Sequence, residues 1–188
     1  ALAFPDAFRS LALAYPMIDF DTEWWRRGSR AVGAPNPGRL PDEAFPANDE
    51  DVRARIERER AGPRVSSADE ERQGFGSEIA RVGFFQDVFS PGGKLDGDES
   101  VWLNRRIARG AALPERVWVL HGDSDSAVPV ETSLSFAQTM EKQGRPVRLD
   151  VVKDMDHGFD LFPGKDWKGS DDPLILDATA WLAEKWLQ

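Results

Sequence analysis

Two short apolar runs separated by one helix-patterned stretch restrict this chain more than any other feature. "RVWVLHG" (Arg116 to Gly122) is apolar on both faces and closes on a glycine turn. "PVRLDVVKD" (Pro146 to Asp154) alternates through Val147, Leu149 and Val151, as a strand does. Between them, "PVETSLSFAQTMEKQG" places Leu134, Ala137 and Met140 on one helical face. Gly144 stands where the helix should be capped, and Pro146 comes two residues later. A strand buried on both faces, a helical crossover and another strand describe a parallel sheet in an α/β domain.

The pattern extends in both directions. "SLALAYPMIDF" (Ser10 to Phe20) reads as a further buried strand that Pro16 ends. "DDPLILDATAWLAEKWLQ" reads as a last helix, with Asp172 as N-cap and Pro173 as its first residue. Leu174, Ala178, Trp181 and Leu182 form its buried stripe. The core is thus expected to comprise residues 1–20 and 116–188.

Residues 21–115 break the pattern and are expected to be a mostly helical insertion, either a lid or ordinary packing. "PNPGRLPDEAFPANDE" is rich in proline and turn formers. "DVRARIERER" reads as one solvated, charged helix. "SEIARVGFFQDVF" carries Ile79, Val82, Phe85 and Phe89 at helical spacing. "PGGK" (Pro91 to Lys94) reads as a loop tip.

Composition narrows the chemistry. The 188 residues carry a net charge of −9. This argues against nucleic acid or an anionic membrane surface as partner, since both need a basic face. No apolar run is long enough to span a membrane. The chain has no cysteine, which removes disulfides, thiolate metal sites and a thiol nucleophile. A reducing compartment is compatible with this, and a cytoplasmic setting is favoured. The two histidines and scattered carboxylates show no metal-ligand spacing, so neither metal nor cofactor is expected.

Those histidines are His121 and His157. His121 lies in the turn after its strand and is expected to be structural, bonded to nearby backbone. His157, in "DMDHGFDLF", stands on the loop after the next strand. Gly158 allows a sharp turn beside it, and Phe159, Leu161 and Phe162 can anchor the segment beyond. Asp154, Asp156 and Asp160 read as turn or cap residues or solvated charges. Asp123 and Asp125 lie at the carboxyl end of the preceding strand. Parallel neighbours run about 4.8 Å apart, so a carboxylate and an imidazole on consecutive strand ends can meet. An aspartate that accepts the imidazole N–H sets its tautomer and frees the other nitrogen to act as a base.

These residues carry a resemblance. "HGDSDSAVP" followed by "DHGFD" resembles the C-terminal half of an α/β-hydrolase, most similar to the esterase and lipase branch related to hormone-sensitive lipase. The resemblance places the acid at Asp125, with Val128 and Pro129 completing the motif, and the histidine at His157, with Gly158 and Phe159. Asp123 is the rival acid. "AYPMIDF" is similar to the strand after the nucleophile helix, and the insertion falls where that family carries its cap. The implied activity is hydrolysis of small or medium acyl esters, with Trp24, Trp25, Phe84, Phe85 and Phe89 either lining an acyl pocket or packing the cap. Alternatives are a prolyl-oligopeptidase-type peptidase, a lactonase or thioesterase, or a non-catalytic ligand-binding fragment. Plant gibberellin receptors exemplify the last class, but there the histidine is typically lost.

The family's nucleophile elbow, Gly-x-Ser-x-Gly, has no counterpart. "RGSRAVG", "GFGSEIA", "KGSDDP" and "GDSDS" all lack its glycine spacing. The oxyanion-hole glycines are missing too. The expectation is therefore a chain that supplies acid and histidine but not the serine. A missing N-terminal half, or a second chain, would complete the sheet beside the Ser10 strand, whose edge would otherwise be exposed.

Overall fold

The computed structural model describes residues 7–46, 48–62, 70–89, 102–161 and 167–184, with the side chains of 70–73 and 89 excepted. The order of elements is β1 (Ser10–Ala14), α1 (Glu23–Arg27), α2 (Asp49–Ala61), α3 (Glu70–Val82), α4 (Phe85–Phe89), α5 (Leu103–Ala108), β2 (Arg116–Gly122), α6 (Glu131–Lys142), β3 (Val147–Val152) and α7 (Pro173–Ala183). Short 3₁₀ turns punctuate the loops. The chain divides into two compact units, residues 1–19 with 102–188, and residues 20–101.

The first unit is a three-stranded parallel sheet in the order β1-β2-β3. β2 is central, and all its residues after Arg116 are buried. On one face Val117 and Val119 pack with Ile18, Ile107, Phe136 and Met140, so α5 and α6 cover that side. On the other, Trp118 and Leu120 pack with Trp167 and Ala178 under α7. Burying one such side chain stabilises the fold by about 1.5–3 kcal/mol. Two apolar faces on one strand therefore make β2 the axis of the domain.

The helix ends follow from local chemistry. Asp172 caps α7 by accepting the Leu174 amide at 3.0 Å. α6 ends in a Schellman motif, with Arg145 N–H on the Met140 carbonyl and Gly144 N–H on that of Glu141. Gly144 adopts φ +64° there.

Two side chains depart from the expected faces, and one strand ends early. Leu134 is 40% exposed, and Phe136 takes the core position instead. Val151 is 43% exposed although Val147 and Leu149 face the core. β1 ends at Ala14 because Tyr15 turns to φ +35°, one residue ahead of Pro16.

The second unit contains α1 to α4. The charged helix α2 is capped by Asn48, which accepts the Asp51 amide. It is not solvated all round, because Val52 and Ile56 seat in a small core with Ile79. The stretch of helical spacing from Ser77 to Phe89 is divided at Gly83 between α3 and α4. Residues 91–94 and Phe162 lie outside the described residues, as does the side chain of Phe89.

Candidate active site

β2 and β3 deliver their loops to one edge of the sheet, and backbone contacts zip those loops together. Asp123 N–H donates to the Val152 carbonyl, and Ser124 N–H to that of Met155, both at 3.1 Å. Asp154 N–H donates to Asp123 Oδ1 at 2.6 Å. Met155 presses on Gly122 so closely that a Cβ there would lie 2.1 Å from its carbonyl oxygen. Only glycine fits at that crossing.

This framework brings His157 Nδ1 to 2.9 Å from Asp125 Oδ2. Asp123, the rival acid, is instead engaged by the Asp154 amide. The Asp125 side chain is wholly buried, and both its oxygens meet donors. Oδ1 accepts the amides of Ala127 at 2.9 Å and Val128 at 2.8 Å. Oδ2 faces His157 Nδ1 and, at 3.4 Å, His121 Nε2. Burial alone would raise the pKa of this carboxyl. The hydrogen bonds from His121, His157 and the Val128 amide, with the charge of His157, outweigh it and hold Asp125 well below the usual carboxylate range.

An ionised carboxylate can only accept, so the proton between the pair sits on His157 Nδ1. Among the described residues the hydrogen bonds of this ring are confined to Nδ1. The His157 side chain is 37% exposed while Asp125 is at 0%. Nε2 is thus left with its lone pair at the accessible end of a buried pair, the arrangement a general base requires.

His121 is fully buried. Its Nε2 lies 2.9 Å from the Val128 carbonyl, as a backbone-bonded structural histidine should, so Nε2 carries the proton. Nδ1 lies 2.7 Å from Ser133 Oγ. The same Nε2–H also faces Asp125, which sequence reasoning does not foresee.

Two further residues escape the sequence analysis. Tyr15 packs against His157 with the rings tilted by 56° and their centroids 4.2 Å apart. Its left-handed backbone is costly for a residue with a bulky side chain, and its amide is held by the Leu120 carbonyl at 2.7 Å. Burial, a hydrogen bond to Asp160 and the charges of Asp160 and Asp125 push its phenol up to about 12. A phenol whose neutral form the fold favours adds stability below its ordinary value of 10.0, and loses it as pH rises through about 12. Tyr15 is the only tyrosine. Phenolate absorbance after a rapid alkaline jump should therefore show a single midpoint near about 12 in folded protein. A midpoint at 10.0 would contradict the described environment. The other residue is Asp156, which is neither solvated nor confined to its own turn; it bonds to both loops.

Of the aromatic residues expected either in an acyl pocket or in packing, Trp24, Trp25, Phe84 and Phe85 make contacts within the second unit. Trp25 is buried against Phe20, Trp24 and Phe85, and Phe84 lies under Arg53. Among the described residues no group of three or more His, Asp or Glu is placed to hold a metal ion, and no helix is long and apolar enough to cross a membrane.

Residues 100–166 match the sequence model of the prolyl oligopeptidase family, a family of α/β-hydrolases. The architecture is that of a partial α/β-hydrolase. The match takes in β2, α6, β3, Asp125 and His157. It is to this family, not to the esterase branch that the motifs resemble. Over 80 residues the chain is also 26% identical to a non-reducing polyketide synthase, Preu3, of Preussia isomera. It covers 43% of this chain and 3% of the length of that synthase.

Proposed function

We propose that this chain carries the acid and the base of a serine hydrolase that cleaves carboxylic esters. The observation that supports the reading is the 2.9 Å bond between buried Asp125 and accessible His157. His157 Nε2 takes the proton of a serine outside the motifs of this chain as that serine attacks the ester carbonyl. Asp125 stabilises the imidazolium that results. The imidazolium then returns the proton to the leaving alcohol, an acyl-enzyme remains, and water activated by the same nitrogen releases the acid. The part of residues 21–115 that lies in the second unit serves as the cap, and the acyl group is small or medium. A further strand, from the rest of the protein or a second chain, covers the β1 edge.

The match to the prolyl oligopeptidase family favours a second reading, in which the same pair serves amide cleavage. The two separate on substrates. The protein that unites this chain with its serine would be offered nitrophenyl esters of graded acyl length and prolyl nitroanilides. Ester turnover with little anilide cleavage is the expected result. Preferential anilide cleavage would replace the ester reading with the peptidase one. No turnover of either, with no labelling by a fluorophosphonate, would remove both.

A further inference from the structure

Asp156 gathers three donors onto one carboxylate oxygen. Its Oδ1 accepts the Ser126 amide at 2.8 Å, the Ser126 hydroxyl at 2.9 Å and the His157 amide at 2.8 Å. Ser126 follows Asp125 directly, and His157 follows Asp156. One oxygen therefore grips the neighbour of the acid and the backbone of the base. A turn-capping aspartate bonds to its own loop. Here two of the three donors come from a residue 30 positions away.

The acid loop shows the same division. Its three successive amides, Ser126, Ala127 and Val128, all point at carboxylates. Asp156 takes the first and Asp125 the other two. The two carboxylates share one turn of backbone, and Ser126 within it is nearly inaccessible, at 5%. A side chain held by its neighbours in this way keeps its partner within the narrow geometry that proton transfer demands.

We propose that Asp156 is a positioning residue: by clamping Ser126 to the His157 backbone it sets the distance between Asp125 and the imidazole. It touches no reacting atom. This inference rests on reading Asp125 and His157 as the acid–base pair.

The His157 Nδ1 proton reports the pair without any need for turnover. In protein labelled with ¹⁵N-histidine there are only two rings to assign. The proton on His121 belongs to Nε2 and serves as an internal control for folding. The wild type should show a downfield, slowly exchanging His157 Nδ1–H. Asp156→Asn retains an oxygen acceptor and should preserve that signal. Asp156→Ala should raise its solvent-exchange rate about ten-fold, the effect of losing one charge-assisted clamp, while the His121 proton persists. Wild-type exchange in a folded Asp156→Ala protein would overturn the inference and leave the acid–base pair standing. Absence of the signal in the wild type would instead remove the pair, and the clamp with it. If Asp156→Ala does not fold, Ser126→Ala decides. It deletes one of the three donors and should speed exchange severalfold, and an unchanged rate there overturns the clamp.

Discussion

In the protein that joins this chain to its serine, His157→Ala is expected to lower kcat/KM for ester hydrolysis by on the order of 10⁴-fold. The variant removes the nitrogen placed to take the serine proton, while the site's binding surface remains. Asp125→Asn should cost a comparable factor for a subtler reason. The oxygen facing the Ala127 and Val128 amides cannot become an NH₂ group, since donor would then meet two donors. The new carboxamide must therefore turn its NH₂ toward His157. Nδ1 becomes an acceptor, the proton moves to Nε2, and the base loses its lone pair. His121 Nε2–H would meet the same NH₂ group. The ¹⁵N shifts of His157 should report this tautomer reversal directly. Turnover within a few-fold of wild type in either variant would end the assigned role of that residue.

The second large effect is expected at a residue with no side chain. Gly122→Ala places a methyl 2.1 Å from the Met155 carbonyl oxygen and 2.7 Å from its carbonyl carbon. Both atoms are backbone, so no rotamer change can relieve the clash. That oxygen also accepts the Ser124 amide, and shifting it loosens the loop that carries His157. Overpacking of this kind costs about 3 kcal/mol or more, which corresponds to a fall in melting temperature of about 6–12 °C for a domain of this size. The His157 Nδ1 proton should exchange faster in the same variant. A melting curve that overlays the wild type would mean that Met155 does not cross Gly122 as described.

Both predictions depend on features that differ in how far sequence reveals them. The strand-helix-strand core is legible because β2 is apolar on both faces and Gly144 and Asp172 are strong local signals. The approach of Asp125 to His157 follows from parallel pairing, since register alone puts those loops side by side. Choosing Asp125 over Asp123 does not follow from spacing. It turns on which carboxylate meets the Asp154 amide, a contact made across two loops. Phe136 and not Leu134 takes the core because the buried stripe of α6 runs through Ser133, Phe136, Ala137 and Met140, and its first turn is the polar pair Thr132 and Ser133, which an apolar pattern does not mark. The break at Gly83, the turn at Tyr15 and the three hydrogen bonds accepted by Asp156 have no periodic signature.

The hydrogen bonds that link Asp125, Asp156 and His157 lie on the loops of β2 and β3, between residues 122 and 157. In kinetic terms this is a short closure, with acid and base only 32 positions apart. Closure entropy rises slowly with loop length and is modest over such a span. The two groups should therefore meet as soon as α6 docks on the face of β2 and β3, early in the folding reaction and ahead of contacts between distant parts of the chain.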